Sequence, residues 1–159
     1  MPLFQTLLHP TDFDEPSKEA YRVARSLAQI LGARMVVFHV VSPPAILTED
    51  GRVILNPKTA EPIDLWAEYR ELLADTPNVP VQYAVLVGDK AEAKRLLEER
   101  IRELGDGILL VMGTHGRTGI SRFLWGNRAE ELVRDCPCPV LVVKAPSHMI
   151  AHSSTSKAE

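Results

Sequence analysis

The sequence predicts an α/β protein with a doubly wound parallel β-sheet, five strands wide and covered by helices on both faces. Short apolar runs rich in β-branched residues alternate with longer stretches in which apolar residues recur at helical spacing, and turn-forming residues separate them. Such alternation is typical of parallel sheets with right-handed crossovers. The 159 residues, 45% of them hydrophobic, suffice for one well-buried core but not for two ordinary domains, so we expect a single domain.

The first elements are a strand and a helix. The apolar run at residues 3–8 predicts the strand, which stops at the turn-forming residues 9–12. Apolar residues at helical spacing then predict a helix from Pro16 to Leu31. Gly32 follows at the position where a left-handed C-cap residue is needed.

The next elements are a buried strand and a long connection. The nearly continuous apolar run 35–41 predicts the second strand, because a strand covered on both faces needs apolar residues on both. Residues 42–62 carry several prolines and no sustained period, which predicts a long surface connection that serves as a lid or an interface.

The second half of the chain repeats the alternation. Asp89 and Glu92 have the spacing of a capping box at the start of the third helix, and Gly105 ends that helix. Asn127, with Glu130 three residues later, predicts the start of the fourth helix. Apart from this fourth helix, the predicted elements of this Rossmann-like fold beyond residue 62 are helices at 65–73 and 93–104, strands at 81–87, 108–112 and 140–143, and a polar tail after Ala145.

Composition narrows the classes of function. A formal net charge of −3 leaves no broad positive surface for nucleic acid or for an anionic membrane, so we expect neither partner. The first residues form no signal-peptide pattern and no apolar run could span a bilayer, which predicts a soluble cytoplasmic protein. Cys136 and Cys138 are one residue apart, a spacing that matches neither a redox Cys-x-x-Cys motif nor a zinc site, so we expect buried thiols in a reducing compartment.

A glycine-rich segment follows the fourth predicted strand. Gly113, Gly116 and Gly126 have the spacing Gly-x2-Gly-x9-Gly at a junction between a strand and a helix-like stretch. Glycines let the backbone approach a ligand, and the N–H groups of a turn and of the next helix N-terminus attract anions, so the segment is typical of a phosphate site. Ligands of doubly wound sheets bind at the switch point, beyond the carboxyl ends of the strands. If strands one and four are neighbours, the loop that holds Asp12 faces the loop that holds Gly113.

Four stretches of the chain resemble the universal stress protein family. They are His9-Pro10-Thr11-Asp12, His39-Val40, the glycine segment from Met112 through Gly126, and Cys136-Pro137-Cys138-Pro139 with the strand after it. The likeness covers nearly the whole chain apart from residues 42–62 and the tail. It implies strand order 3-2-1-4-5, one domain over residues 1–145 with a flexible tail at 146–159, and a homodimer that pairs the last strands through Val140, Leu141, Val142 and Val143.

The resemblance also implies a ligand. One branch of the family binds ATP or AMP in the crevice between strands one and four, with any Mg²⁺ brought by the nucleotide, and the other branch binds no nucleotide. Carried over residue by residue, the nucleotide contacts fall on Pro10, Thr11, Asp12, Val40, Met112, Gly113, His115, Gly116, Arg117, Gly126, Asn127 and Arg128.

Single positions within this set leave alternatives open. Asp12 matches an aspartate expected near the ribose and the metal-phosphate region, but it can equally form an Asx-turn or cap the first helix. The backbone of Val40 would meet the adenine edge. The three glycines match the phosphate loop, and their alternative role is tight turning. Asn127 stands where nucleotide-binding members have Ser or Thr, and its amide can donate to a phosphate oxygen or cap its own helix.

Other side chains near these positions have both a functional and a structural interpretation. His115 can touch the ligand or hold its own loop. The arginines around the loop, Arg117, Arg122 and Arg128, can neutralise phosphate charge or form a solvated surface. We expect structural positions for His39 in the core, and for Trp66 and Tyr69 in the core or at a dimer surface.

The chain lacks the motifs of fast phosphate chemistry. Neither Gly-x4-Gly-Lys-Ser/Thr nor a Ser-His-Asp or Cys-His arrangement is present, so we expect a binding or signalling module and not an enzyme. The function predicted first is a dimeric stress-response module that binds ATP or AMP. Two alternatives are a nucleotide-free dimeric interaction module, whose crevice is filled by residues 42–62, and a slow ATPase in which Asp12 faces the phosphates.

Overall fold

A computed structural model describes residues 2–74, 76, 78–89, 91–114 and 133–144 of the chain. These residues form a five-stranded sheet, a two-stranded hairpin and three helices with both ends described. In chain order the elements are β1 (Thr6–Pro10), α1 (Glu15–Leu31), β2 (Arg34–Val41), β3 (Ile46–Leu47), β4 (Val53–Ile54), α2 (Ala67–Leu72), β5 (Val81–Val87), α3 (Ala93–Leu104), β6 (Ile108–Thr114) and β7 (Val140–Lys144).

The large sheet is parallel throughout and has the strand order β5-β2-β1-β6-β7. When the two hairpin strands are left out of the count, this is the order 3-2-1-4-5, so the predicted doubly wound sheet is confirmed. In the central strand, Leu7 pairs with Met35 of β2 and with Leu109 of β6. The chain leaves β1 toward β2 and later crosses to β6 on the other side, which puts the switch point between β1 and β6.

Each face of the sheet has its own apolar core. Consecutive strand residues point to opposite faces. Leu7, Met35 and Val37 therefore pack under α1 and α2, while Leu8, Val36 and Phe38 pack on the other face, under α3. This two-sided burial explains why β1 and β2 have few polar residues.

The helix ends follow local capping rules that the sequence predicts. Asp14 accepts a hydrogen bond from the Ser17 N–H at 2.8 Å as the N-cap of α1, and Gly32 ends that helix in the left-handed conformation. Before α3, the Asp89 N–H donates to Glu92 Oε2 and the Glu92 N–H donates to Asp89 Oδ1, each at 2.9 Å. The predicted capping box is therefore formed in both directions.

The first strand lies two to three residues later than predicted. Leu3 is 79% exposed and lies outside the sheet, and β1 ends at Pro10 and not at residue 8. His9 and Pro10, which the sequence suggested as turn residues, are buried strand residues. The tertiary position outweighs their turn-like residue types, because β2 continues beside them and pairs Val37 with His9 and Phe38 with Pro10.

Residues 42–62 contain a short hairpin that their lack of period did not reveal. Ile46 pairs with Ile54 in antiparallel fashion, and Val53 also forms a bridge to Ile63. Helix α2 has six residues and is shorter than the predicted 65–73. Two-residue strands are too short to show a pattern in sequence. No helix in the described part of the chain is both long and apolar enough to cross a membrane.

Candidate functional site

The carboxyl ends of the central strands collect the first half of the predicted ligand set. At the end of β1 lie Pro10 and, directly after the strand, Thr11 and Asp12. Val40 is the second-last residue of β2, and near the end of β6 lie Met112 and Gly113. The second half of the set lies outside the described residues: His115, Gly116, Arg117, Gly126, Asn127 and Arg128. The structure therefore describes the β1 and β2 sides of the crevice and the edge of β6.

Gly113 brings β6 against the first turn of α1. A Cβ built on Gly113 would lie 2.6 Å from the carbonyl carbon of Pro16 and 3.1 Å from the Ser17 nitrogen, and closer still to the Pro16 oxygen. These are backbone atoms, which cannot move aside as a side chain can. Gly113 is a strand residue paired with Val143, and its glycine is required for close backbone approach. This role differs from the turning role considered from the sequence, and β6 extends two residues beyond the predicted end at 112.

The same contact fixes the place of the Asp12 loop. Asp12 Oδ1 accepts a hydrogen bond from the Asp14 N–H at 3.1 Å, which is an Asx-turn, and another from Ser17 Oγ at 2.7 Å. The structural alternative for Asp12 is therefore formed, and the helix cap is Asp14. Ser17 therefore has two neighbours at this edge: its hydroxyl bonds to the Asp12 carboxylate, and its backbone nitrogen lies against Gly113 of β6. Ser17 was not among the predicted site residues, although its spacing from Asp14 is that of a capped first turn.

Two carboxyl groups lie within one turn at this edge of the sheet. Burial and, after it, the neighbouring Asp12 carboxyl together raise the pKa of Asp14 to about 6, against the opposing effect of hydrogen bonds from Ser17. The ionised form of Asp14 is therefore disfavoured at neutral pH, chiefly because the carboxyl is buried and in part because the Asp12 carboxyl lies beside it. A cation or a hydroxyl donor placed there would be stabilised, because carboxylate oxygens are the preferred ligands of Mg²⁺ and good acceptors from sugar hydroxyls.

Thr11 ties the loop to β2 and α2. Its N–H donates to Phe38 O at 2.9 Å, and its carbonyl accepts from His39 Nδ1 at 2.7 Å. Its buried hydroxyl bonds to the Tyr69 hydroxyl and accepts from the Phe13 N–H at 3.0 Å. The side chain of Thr11 is thus engaged with protein groups, and it contributes to the site by positioning the loop. Nothing local in the sequence reveals the bond to Tyr69, because the two residues are 58 positions apart.

Aromatic rings surround this loop. Phe13 has a positive φ of 65°, uncommon for a residue with a side chain, and its ring lies 5.2 Å from both Trp66 and Tyr69. Trp66 is 5% exposed and Tyr69 is fully buried. Both are core residues, as one of the two structural alternatives predicted. The rings hold Phe13 in its strained conformation and so fix the loop that carries Asp12.

Two histidines connect the strands beneath the site. His9 is fully buried and its Nδ1 donates to Val111 O at 2.8 Å, which links β1 to β6. Burial lowers the pKa of His9 to about 4, more than the hydrogen bond to Val111 and the Asp12 charge raise it, so the ring is neutral. His39 is partly buried, and burial lowers its pKa as well. Its bond to Thr11 and its edge contact with the Phe13 ring, at 4.8 Å, agree with the structural role predicted for it.

A separate cleft of about 580 Å³ lies between the hairpin, α2 and β5. Trp66 and Tyr83 line it together with two ion pairs, Arg52 with Asp50 and Arg70 with Asp64. None of the predicted nucleotide contacts is among its lining residues. The cleft is therefore distinct from the crevice at the switch point.

The fold and the site define a class of protein: a doubly wound α/β domain whose switch point carries a rigid acidic turn beside a glycine-bearing strand end. The sequence model of the universal stress protein family matches residues 3–144, and the chain belongs to that family. The part of the resemblance that concerns the fold is thereby confirmed.

Relatives and solved structures agree with this assignment. The chain is 32% identical over 144 residues to a Thermus aquaticus universal stress protein from the QAH/OAS sulfhydrylase 3′ region, covering 89% of this chain and all of the relative. It is 31% identical over 150 residues to universal stress protein MJ0531 of Methanocaldococcus jannaschii, covering 91% and 84%. Among solved structures, protein MJ0577 matches with a TM-score of 0.62 at 20% identity, covering 91% and 99%. A universal stress protein in complex with cAMP matches with a TM-score of 0.61 at 22% identity, covering 89% and 97%. At these identities the structural matches show the fold.

Proposed function

We propose that this protein binds an adenine nucleotide, ATP or AMP, in the crevice between the carboxyl ends of β1 and β6. The observation that carries the proposal is the close backbone contact between Gly113 and the first turn of α1. Because of this contact, the Asp12 turn lies directly beside the end of β6. Doubly wound sheets bind their ligands at such a switch point. That a universal stress protein of similar fold is in complex with cAMP supports an adenine nucleotide as the ligand class.

Each described residue has a role in this proposal. The adenine edge meets the backbone at Val40, next to the His39 that anchors the loop. The Asp12 carboxylate accepts hydrogen bonds from the ribose hydroxyls, and a Mg²⁺ ion brought by the nucleotide would favour the paired carboxylates of Asp12 and Asp14. The phosphates run past Gly113. Beyond Gly113 the phosphates meet the predicted contacts that lie outside the described residues, where the amide of Asn127 donates to a phosphate oxygen.

We further propose that the protein acts as a cytoplasmic, dimeric stress-response module in which nucleotide occupancy alters the surface offered to partners. Strand β7 is an end strand of the sheet, and Val142 on it is 39% exposed. End strands offer unpaired backbone groups to a second chain, so pairing of β7 with its copy would bury Val142 and complete the hydrogen bonds. No fast hydrolysis is expected, because the lysine of a P-loop is missing.

The position of residues 42–62 favours nucleotide binding over the nucleotide-free alternative. That alternative needs these residues to fill the crevice. The buried residues Ala45 and Val53 instead pack with Val41 at the end of β2 and with Val85 of the end strand β5. The described packing of the hairpin thus supports a crevice that a ligand can enter beside β1.

Acid extraction of freshly purified protein, followed by chromatography of the extract, tests whether a nucleotide is carried. Calorimetric titration with ATP and AMP, with and without Mg²⁺, then measures affinity. The Asp12→Asn variant keeps the Asx-turn acceptor but loses the charge, and we expect about tenfold weaker binding. Asp106→Asn, at an exposed acid outside the site, is the matched control and should bind as the wild type does. Protein with no extracted nucleotide and no measurable affinity for either nucleotide would overturn the proposal.

The slow-ATPase alternative is tested with the same variants. Phosphate release from ATP should not exceed that of the Asp12→Ala variant at equal occupancy, because the chain offers no recognised group to polarise the β,γ-bridge. A rate clearly above the variant would assign turnover to this site.

A further inference from the structure

The two thiols of this chain face each other where the chain enters β7. Cys136 and Cys138 are its two cysteines, and their Sγ atoms lie 3.6 Å apart. Neither is in a disulfide, and both are partly exposed. This corrects the expectation of buried thiols. A disulfide needs an S–S distance near 2 Å, so a shift of about 1.5 Å would join the two atoms.

The surrounding structure holds the pair in place. Both cysteines pack on the core cluster beneath α3, which includes Leu110 and Leu97. The Leu110 N–H donates to Pro139 O at 3.0 Å, directly after the second cysteine. The backbone at 136–139 is therefore anchored to the sheet, and this keeps the two Sγ atoms close to each other.

The two thiols are chemically unequal. The hydrogen bond from Cys138 lowers the pKa of Cys136 to about 7, against the opposing effects of burial and of the Glu98 charge. The same bond, together with burial, raises the pKa of Cys138, which keeps its proton. Other charged groups nearby are Asp135 and Lys94, which form an ion pair at 3.7 Å. In an asymmetric pair of this kind, the thiol with the lower pKa is the nucleophile that reacts first, and the other thiol reacts with the product to form the disulfide.

We propose that Cys136 and Cys138 form a redox site at which a hydroperoxide converts the pair into a reversible intrachain disulfide. The Cys136 thiolate attacks the terminal peroxide oxygen, the O–O bond breaks, and a sulfenic acid and an alkoxide or hydroxide result. The leaving oxygen takes up a proton. The Cys138 sulfur then attacks the sulfenic sulfur, the S–O bond breaks, and water leaves with the Cys138 proton. In total, two thiols and one hydroperoxide give one disulfide, one alcohol (water from hydrogen peroxide) and one further water.

The short spacing suits a transient disulfide. Disulfides in reducing compartments are usually transient, and strained or exposed ones are readily reduced again. A bridge across one intervening residue closes a small ring at an accessible position. The site lies apart from the nucleotide crevice, because Cys136 and Cys138 precede β7 at the amino-terminal edge of the sheet, whereas the Asp12 turn follows β1 at the carboxyl edge.

Oxidation of the full-length protein with stoichiometric hydrogen peroxide tests the site. We expect the free thiols counted with a chromogenic disulfide reagent to fall from two to none per chain. The intact mass should fall by two hydrogen atoms, the chain should stay monomeric on a non-reducing denaturing gel, and dithiothreitol should restore both thiols. Chains joined by disulfides, or chains that only gain oxygen atoms, would overturn the proposal.

Two single variants separate the roles of the thiols. Cys138→Ser should gain oxygen at Cys136 and form no intrachain disulfide, whereas Cys136→Ser should react with peroxide at least about tenfold more slowly than the wild type. Both variants should keep the circular dichroism spectrum of the wild type. Equal peroxide rates for Cys136→Ser and the wild type would exclude Cys136 as the nucleophile and overturn the assignment.

Discussion

Gly113 of β6 and Pro16 of α1 touch through their backbones. A Cβ on Gly113 would lie 2.6 Å from the Pro16 carbonyl carbon, so the first turn of α1 can rest on the strand end only if residue 113 is glycine. This contact sets the distance between the Asp12 turn and β6, and hence the width of the crevice on that side. It also means that loss of ligand in a Gly113 variant reports on the fold as well as on the site.

The first prediction concerns this contact. Gly113→Ala should lower the free energy of unfolding by about 3 kcal/mol, because overpacking against backbone atoms cannot be relieved by a rotamer change. Urea denaturation monitored by tryptophan fluorescence measures the loss. Gly51→Ala is the matched control: its φ is 82° but nothing lies near its Cβ, so only the conformational cost of about 1 kcal/mol is expected. Equal losses in the two variants would show that the close approach is not needed.

The second prediction is a loss of stability in mild acid caused by His9. Its pKa is lowered from 6.5 to about 4 in the folded protein, so between these values the unfolded chain binds the additional proton. Stability is therefore complete above about pH 6.5 and falls as the pH drops toward 4, by about 3 kcal/mol for this group. His9→Asn keeps a donor for Val111 O but does not titrate. The slope of unfolding free energy against pH should be smaller in His9→Asn than in the wild type, and identical slopes would contradict the assignment.

The third prediction has the opposite sign and concerns Asp14. Its pKa is raised to about 6, so its ionised form is disfavoured in the folded protein. Asn is an equally good N-cap without the charge. Asp14→Asn should be more stable than the wild type by about 1 kcal/mol at neutral pH, a value reduced for solvent screening of this partly exposed group.

The advantage of Asp14→Asn should disappear as the pH falls through 6 toward 3.8, where the wild-type carboxyl takes up its proton. Asp14→Ala, which removes the cap, should instead cost about 1 kcal/mol. Thermal unfolding at several pH values compares the three proteins. An Asp14→Asn variant that is less stable than the wild type at neutral pH would show that the charge is favourable in the folded state.

The fourth prediction is an energetic coupling between Thr11 and Tyr69. Thr11→Val leaves the buried Tyr69 hydroxyl without its partner and should cost about 2 kcal/mol. Tyr69→Phe should cost less, and the double variant should be more stable than the sum of the single losses predicts, by about 1 kcal/mol. Tyr83→Phe, which removes a hydroxyl bonded to Tyr21 and not to Thr11, is the control for the cycle. Strict additivity in the Thr11–Tyr69 cycle would show that the bond contributes nothing.

Local patterns predicted most of the secondary structure. The bounds of β5 and α3, the left-handed cap at Gly32 and the reciprocal capping box of Asp89 with Glu92 all agree with the structure. Caps and helical periodicity involve residues within a few positions of each other, so a single sequence contains the whole signal. The hairpin of β3 and β4 carried too few residues to leave such a signal, and the late end of β1 depended on strands that lie elsewhere in the chain.

The candidate site likewise has features that the sequence predicted and features that depend on tertiary contacts. The sequence by itself determined the family, the alternation that builds the sheet, and the choice of Asp12, Val40 and Gly113 as neighbours at its carboxyl edge, because residue types and spacing are enough for those inferences. Only the tertiary structure decided that Gly113 serves a backbone contact, that Thr11 bonds to Tyr69, that His9 is buried and neutral, and that two partly exposed thiols face each other. These features depend on distances between side chains and on their separation from water, and such quantities exist only once the chain is packed.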